Sequence, residues 1–324
     1  MKVVARVLAI AGLALAAALF ARENIGRIAD LVFTAIPGLA LAAAFHVVPM
    51  VVNAFAWQRL FAARQRPALR TIVQAVWIRE SINGVLPVAR VGGEVAAYRI
   101  LRRHVASRAE VAASIAADVA LSVLSQSAFA LLGLCTLLAI GRSTAITGML
   151  LAVAGGMLVL GAAFVLVQRA GALASAARLA ERVFAGKLRT IRAGSLRLDR
   201  ALRAMHARHA DVSACAALQF AAWVASAGET WLALHFLGAG RSFGEAVVIE
   251  SLVQAINSAA FVVPGAIGVQ EGAFVLIGSM VGLDAPTSLA LAAARRLRDV
   301  VIYIPGLVAW HHAEARSATR RRLA

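Results

Sequence analysis

The sequence predicts an all-α integral membrane protein with about six transmembrane helices and two re-entrant or broken helical segments, arranged as an inverted repeat. Three observations lead to this fold class. Hydrophobic residues make up 61% of the chain and charged residues only 15%, which is far too apolar for a soluble protein. Six stretches are apolar for long enough to cross a bilayer as helices. Two further apolar segments are interrupted by Pro, Gly and charged residues.

The six apolar stretches define the predicted spans and the domain organisation. They lie at 3–21, 31–58, 111–140, 146–167, 212–239 and 287–310. We expect one polytopic domain over residues 1–324, with a first half at 1–140 and a second half at 146–310. A basic loop at 168–211 and a basic tail at 311–324 complete the chain.

The loop charges predict the orientation in the membrane. Most basic residues fall in the amino-terminal end, the loops after the second span and the first break, the 168–211 loop and the tail. The opposite side has only Arg22, Arg27, Arg142 and Arg241. Because cytoplasmic loops are enriched in Lys and Arg, both termini are predicted to be cytoplasmic. This sidedness requires segments 72–98 and 244–282 to enter and leave on one side, as broken or re-entrant helices do.

The two interrupted segments resemble each other. The first contains Asn83, Pro87, Gly92 and Gly93, and the second contains Asn257, Pro264, Gly265 and Gly268. In each copy an acid, Glu94 or Glu271, follows the proline by seven residues. Irregular backbone at membrane depth is tolerated only where protein buries it or where it lines a wet cavity. Paired breaks in two inverted halves therefore predict a transporter site near the bilayer midplane.

Charged residues at membrane depth are the candidate site residues. Each costs about 2.5–3.5 kcal/mol or more at a helix centre, so they must form pairs or face water. The predicted substrate-binding residues are Arg90, Glu94, Glu271, Arg295, Arg296 and Arg298. The i,i+4 spacing of Arg295 and Asp299 predicts a buried pair. For Asp118 and Glu229, each alone on its span, a proton or partner role and simple buried pairing both fit.

No cofactor or metal is expected. The histidines of the basic loop and tail have too few neighbouring ligands for a metal site, and we find no nucleotide-binding or hydrolase motif. The formal charge of +17 would suggest nucleic acid for a soluble protein. Here the basic residues of 168–211 predict contact with an anionic lipid surface instead, and no nucleic-acid partner.

The motifs also carry a family resemblance. Asn83-Gly84-Val85-Leu86-Pro87 with Gly92-Gly93-Glu94, and the run from Val263 to Gly272, resemble the two signature regions of the flippase-like family named for the transmembrane region of lysylphosphatidylglycerol synthase. The resemblance covers nearly the whole chain and is strongest to the stand-alone branch associated with hopanoid biosynthesis. It implies a bacterial inner-membrane protein that moves a lipid between leaflets.

Three functions are compatible with the sequence. We expect a flippase or transporter for a hopanoid or another polar-headed lipid, and not an enzyme. One alternative is an integral-membrane transferase acting on a polyprenyl or triterpenoid lipid, with Glu94 or Glu271 as general base; product formation would identify it. The other is a non-catalytic scaffold, whose partners would be lipid-biosynthesis enzymes.

Overall fold

A computed structural model describes residues 2–86, 91–142, 147–170, 189–260 and 263–323. Over these ranges the chain is helical and forms no strand. The prediction of an all-α fold is therefore confirmed for the described residues.

The first half contains seven helices over its described residues, several with side-chain caps. They are α1 (Lys2–Arg22), α2 (Ile25–Thr34), α3 (Ile36–Phe45), α4 (Val47–Arg59), α5 (Leu69–Val85), α6 (Gly92–Leu101) and α7 (Arg108–Ala139). The Asn24 side chain accepts a hydrogen bond from the amide of Arg27 at the start of α2. The Ser107 hydroxyl accepts one from the amide of Glu110 and fixes the start of α7.

The described residues after 146 contain six α-helices. They are α8 (Thr147–Ala170), α9 (Arg189–His206), α10 (His209–Phe236), α11 (Phe243–Ala259), α12 (Val269–Met280) and α13 (Ala285–Leu323). Ser242 and Glu245 form a capping box that begins α11. A short 3-10 turn, Pro264–Ala266, lies between α11 and α12.

Among the described residues, four helical segments are long and apolar enough to cross a membrane, so the chain is a multi-pass membrane protein. They are Ile36–Arg59, Arg108–Ala139, Thr147–Ala170 and His209–Phe236. These segments match four of the six predicted spans. The first predicted span contributes the shorter apolar helix Ile10–Arg22. The last lies within α13, which also contains Arg295, Arg296, Arg298 and Asp299, and the total of six spans stays a prediction.

Both interrupted segments are broken helices. In each, a helix of 17 residues precedes the break and a shorter one follows it: α5 and α6 in the first, α11 and α12 in the second. Helix α5 packs against α13, the last helix of the other half, and α11 packs against α7, the last helix of the first half. Pro87 and Arg90, predicted to mark and follow the first break, lie outside the described residues.

The second break is covered by α1. A Cβ atom on Gly268, which has a φ of 80°, would lie 2.2 Å from the carbonyl oxygen of Gly12. A Cβ on Gly12 would lie 2.3 Å from the carbonyl oxygen of Ile267. Glycine is needed at both positions because a Cβ atom at either one would block this backbone contact. Gly268 also has a left-handed conformation, which glycine adopts readily.

Two large clusters form most of the apolar core of the described residues, and a small third cluster contains Phe129, Ala227 and Val247. The first large cluster includes Trp57, Ile72 and Cys215, and the second includes Leu134, Leu234 and Phe274. The long helices α7 and α10 each have one end in the first large cluster and the other end in the second. Their middle sections contribute to the third cluster and provide several buried polar side chains, and the polar side chains position the candidate site.

The basic loop is described only in part. Helix α9 packs on α7 and α8, with Leu202 and Met205 buried. Arg197, Arg200 and Arg203 are exposed on its opposite face. Residues 171–188 of the predicted loop lie outside the described part of the chain.

Candidate functional site

A polar cavity of about 550 Å³ lies between the two large apolar clusters. Its walls include residues 118–126 of α7 and 219–229 of α10, which are the central sections of helices of 32 and 28 residues. The cavity is therefore at mid-length of two candidate membrane spans. The polar residues lining it are His46, Asn53, Arg79, Glu80, Asn83, Glu94, Asp118, Ser122, Gln126, Gln219, Ser226, Glu229, Glu250, Gln254, Arg298 and Tyr303.

A buried ion pair joins α5 to α7 on one wall. The Nη1 atom of Arg79 lies 2.5 Å from Oδ2 of Asp118, and Gln219 donates to Oδ1 of the same carboxylate over 2.8 Å. The Arg79 guanidinium also lies 4.8 Å from the centre of the Trp57 ring. Asp118 thus has a cation and an amide as partners, which offsets part of the cost of its burial.

A second group of charges joins α10 to α13. Arg298 donates from Nη1 to both carboxylate oxygens of Glu229, over 2.7 and 2.8 Å, and from Nη2 to Asp299 over 2.5 Å. His46 contributes Nδ1, which lies 2.8 Å from Oε2 of Glu229. The hydroxyl of Tyr303 lies 3.5 Å from Nε2 of His46.

A third group lies next to the second. Arg295 donates to both oxygens of Glu250, and its Nη2 also donates to the Thr230 hydroxyl over 3.1 Å. The Thr230 hydroxyl and the Gln254 amide donate to Glu250 over 2.6 and 3.0 Å. Glu250 is therefore a buried carboxylate whose hydrogen-bonding capacity is filled by four donors.

The structure brings only some of the predicted substrate-binding residues to the cavity. Glu94 and Arg298 line it, whereas Arg295 borders a smaller adjoining space with Glu229 and Thr230. Arg90 lies outside the described residues. The predicted Arg295 to Asp299 pair is wrong: Arg295 pairs with Glu250, and Asp299 pairs with Arg298. Helical spacing could not reveal that a carboxylate on another helix is available to Arg295.

Glu271 and Arg296 lie at the second break and are not among the described residues lining the cavity. Glu271 accepts a hydrogen bond from the Gly268 amide over 2.7 Å and one from Nε of Arg296 over 2.8 Å. Arg296 also donates to the carbonyl oxygens of Gly265 and Ala266, over 2.8 and 3.3 Å. These contacts satisfy the polar backbone of the break. The symmetric acids Glu94 and Glu271 therefore have different surroundings.

The other predicted break residues also differ between copies. In the first, Oδ1 of Asn83 accepts from the Gly93 amide over 2.9 Å, and a Cβ on Gly93 would lie 2.4 Å from the Arg79 carbonyl oxygen. In the second, Oδ1 of the buried Asn257 has no hydrogen-bond partner among the described residues. Gly92 begins α6, and Pro264 begins the turn of the second break.

Three acceptor atoms of the cavity lining are buried without a hydrogen-bond donor in the described structure. They are Oδ1 of Asn53, Oε2 of Glu94 and Oε1 of Gln219. The orientation of the Gln219 amide is set by Asp118, which accepts from its Nε2. Among the described residues, the cation closest to Glu94 is Arg79, with Nη1 at 3.8 Å from Oε2, too far for a hydrogen bond. The cavity lining therefore includes acceptors that are unused in this conformation, although the atoms themselves have almost no accessible surface.

The described residues of the lining also include more acidic than basic groups. Five carboxylates, on Glu80, Glu94, Asp118, Glu229 and Glu250, face two guanidiniums, on Arg79 and Arg298. Arg295 and Asp299, which bond to members of this set, add one charge of each sign. Within the described part of the chain, no group of three or more His, Cys, Asp or Glu has a metal-binding arrangement.

Sequence reasoning missed several polar cavity residues. They are His46, Asn53, Gln126, Gln219 and Tyr303. The available signal was a neutral polar side chain inside an otherwise apolar span, since such side chains usually face the protein interior. Attention to formal charges alone left these residues out.

A protein-family model described as lysylphosphatidylglycerol synthase TM region matches residues 3–306. This match confirms the family resemblance of the sequence over nearly the whole chain. No curated protein and no solved structure was found to match the chain.

Proposed function

Because the chain belongs to the lysylphosphatidylglycerol synthase transmembrane-region family, a membrane family related to lipid synthesis or flipping, we propose that it is a lipid flippase. It would move a polar-headed lipid between the leaflets of the bacterial inner membrane. The observation that carries this proposal is the polar cavity of about 550 Å³ at mid-length of two candidate membrane spans. A head group crossing a bilayer needs such a polar site at that depth, while the hydrocarbon part stays in lipid.

The unused acceptors indicate the chemistry of the head group. Among the described residues of the lining, Asn53, Glu94 and Gln219 have buried oxygen atoms without donors, and carboxylates outnumber guanidiniums. A head group with hydroxyl or ammonium donors would satisfy these atoms, whereas one with acceptors alone would leave them unpaired. A hopanoid with such a head group is one candidate substrate.

Helix pairing supports the inverted-repeat hypothesis. Each broken helix packs against the last helix of the opposite half, α5 on α13 and α11 on α7. Helix α4, which precedes the first break, packs on α10, which precedes the second. Such reciprocal packing is expected of two halves related by a pseudo-twofold axis. Small rotations of one half against the other would open the cavity to alternate sides of the membrane.

Lipid transfer in proteoliposomes tests the proposal. The probes are two phospholipids with the same fluorescent acyl chain, one with an ethanolamine head group, whose ammonium donates hydrogen bonds, and one with a choline head group, which has no donor. We expect the protein to move the ethanolamine lipid faster. Equal rates for the two lipids would contradict recognition by the unused acceptors. If the protein moves neither lipid, nor any phospholipid or hopanoid extracted from the native membrane, the flippase proposal fails.

Glu94→Gln tests the site within the same assay. The substitution keeps the shape of the side chain and removes its charge. Loss of a hydrogen bond to a charged group, worth about 1.5–3 kcal/mol, predicts a transfer rate lower by about tenfold or more. The matched control is Glu314→Gln, because Glu314 is part of a surface contact with Arg99 and Arg103. If the two substitutions change the transfer rate equally, Glu94 does not belong to the site.

The transferase alternative predicts a different result. The purified protein would convert a polyprenyl or triterpenoid lipid into a modified product, and a deletion strain would accumulate the precursor. A flippase deletion would leave total amounts unchanged and alter the distribution between inner and outer membranes. Lipid mass spectrometry of separated membranes distinguishes the two.

The exposed arginines of α9 support a further part of the proposal. Arg197, Arg200 and Arg203 lie on the face opposite the buried Leu202 and Met205. We propose that this face contacts the anionic inner leaflet, with both termini in the cytoplasm. Lipid-biosynthesis enzymes in contact with the protein would supply its substrate. Co-purification tests for such contacts.

A further inference from the structure

The imidazole of His46 lies between a carboxylate and a guanidinium. It sits at the junction of α3 and α4, faces the cavity, and has 14% of its side chain exposed. Its Nδ1 atom is 2.8 Å from Oε2 of Glu229 and 3.1 Å from Nη1 of Arg298. Nδ1 can donate to the carboxylate only when it bears a hydrogen, and can accept from the guanidinium only when it does not. The site therefore has two alternative hydrogen-bonding states.

The charge balance around His46 changes with its protonation. Glu229 and Asp299 contribute two negative charges and Arg298 one positive charge. With a neutral imidazole the group carries one excess negative charge, and with an imidazolium it is neutral. The adjoining pair of Arg295 with Glu250 adds no net charge, and Tyr303 is the other titratable contact of His46. Glu80 of α5 faces the same cavity.

Burial makes this balance energetically important. The Glu229 and Arg298 side chains are 7% and 8% exposed, and Glu229 lies within a candidate span. An uncompensated charge in such a place is costly, so uptake of one proton is favoured where a buried group is one negative charge in excess. Histidine is also the side chain whose charge ordinarily changes near neutral pH.

We propose that His46 is the proton-binding site of this protein and couples proton movement to lipid transfer. The proposal rests on the flippase function proposed above. A proton from water bonds to the Nδ1 lone pair, the new N–H donates to Glu229, and Arg298 loses its contact with Nδ1 while keeping Glu229 and Asp299. Because Arg298 and Tyr303 belong to α13, which packs on the broken helix α5, this change acts on the element that carries the first break.

A pH difference across proteoliposome membranes tests the coupling. The probe is the acyl-labelled ethanolamine phospholipid, and its leaflet distribution is read by chemical quenching of the outer leaflet. For coupling of one proton to one lipid, a difference of one pH unit shifts the distribution by up to about tenfold. His46→Gln should equilibrate the probe without responding to the pH difference. The matched control is His235→Gln, because His235 is an exposed residue of α10, the helix of Glu229.

The outcomes separate this proposal from the flippase function. If the wild-type protein equilibrates the probe but ignores the pH difference, or if His46→Gln responds as the wild type does, the proton site is wrong and the flippase function stands. If the wild-type protein moves no lipid, the flippase function fails, and with it the coupling.

Nitrogen-15 NMR of the histidine side chains tests proton binding without lipid transfer. In detergent-purified protein, the His46 signals are those absent from His46→Gln, or from His46→Asn if the first variant does not fold. We expect a change from one protonated nitrogen to two as the pH is lowered. An imidazole that keeps one protonated nitrogen throughout the range in which the protein stays folded overturns the proposal.

Discussion

Arg79 and Asp118 form a buried ion pair in which the broken helix contributes the cation, whereas in the buried pair of Glu250 with Arg295 the broken helix contributes the acid. Nη1 of Arg79, on the broken helix α5, is 2.5 Å from Oδ2 of Asp118, on α7. In the second half, the broken helix α11 contributes the acid, Glu250, and α13 contributes the cation, Arg295. In both halves the pair joins a broken helix to the last helix of that half. Both pairs are almost fully buried, so each partner depends on the other for compensation.

The first prediction concerns Asp118→Asn. This substitution leaves the Arg79 guanidinium buried without its closest carboxylate. Breaking a buried pair in this way typically costs about 3–5 kcal/mol of unfolding free energy. We expect a markedly lower midpoint in thermal unfolding of the detergent-solubilised protein.

Two further variants control for this effect. Asp284→Asn removes an exposed pair with Arg27, in which the side chains are 58% and 44% exposed, and should cost less than about 1 kcal/mol. The double variant Arg79→Met with Asp118→Leu removes both charges and should be more stable than Asp118→Asn alone. If Asp118→Asn unfolds at the same temperature as Asp284→Asn, the pair contributes little to stability.

The second prediction concerns the first break. Gly93→Ala would place a Cβ 2.4 Å from the Arg79 carbonyl oxygen and 2.6 Å from the Asn83 side chain. Because backbone cannot easily move aside, we expect a loss of about 1–3 kcal/mol or more in unfolding free energy, together with slower lipid transfer. Gly156→Ala on α8 is the control, since its Cβ would meet nothing within 4 Å. Similar stability of the two variants would show that α6 does not pack closely on α5.

The third prediction concerns the second break. Arg296→Lys keeps the charge but loses the guanidinium that reaches Glu271 and the carbonyl oxygens of Gly265 and Ala266 together. We expect faster amide hydrogen exchange at residues 268–272, because Glu271 bonds to the Gly268 amide. Recognition of the ethanolamine over the choline head group should persist, since neither Glu271 nor Arg296 is among the described residues lining the cavity. The control variant is Arg203→Lys, on the exposed face of α9. If amide exchange at 268–272 is no faster in Arg296→Lys than in this control, Arg296 does not stabilise the second break.

The fourth prediction concerns pH and Asp284, which precedes α13 outside the helices. Burial raises the pKa of this carboxyl, but hydrogen bonds from Thr287 and the charge of Arg27 outweigh it, and the net pKa is lowered. A lowered pKa in the folded state stabilises the protein above the ordinary aspartate range, and the gain is lost as pH falls through the folded value. The stability difference between wild type and Asp284→Asn should therefore be present at neutral pH and vanish in acid. A stability difference that is the same at neutral pH and in acid would contradict this role of the Asp284 charge.

Hydropathy and turn chemistry were sufficient to predict the class of the protein and the position of both breaks. The apolar stretches at 31–58, 111–140, 146–167 and 212–239 match the four candidate spans, because a bilayer-crossing helix must be apolar along its own length. The breaks are also local: Gly268 has a backbone conformation that glycine adopts readily. Glu94 could be placed near the cavity because it immediately follows such a break.

Only the tertiary structure decided which charged residues meet. Asp299 is one turn from Arg295, yet Arg295 reaches Glu250, 45 residues away along the chain, and Arg298 reaches Glu229, 69 residues away. Likewise, Glu94 and Glu271 each follow a proline by seven residues, but of the two only Glu94 lines the cavity. Helix α1 covers the second break, and Glu271 forms an ion pair with Arg296. A buried charge takes the partner that helix packing brings within hydrogen-bond distance, and packing between distant helices is not encoded in the spacing along any one of them.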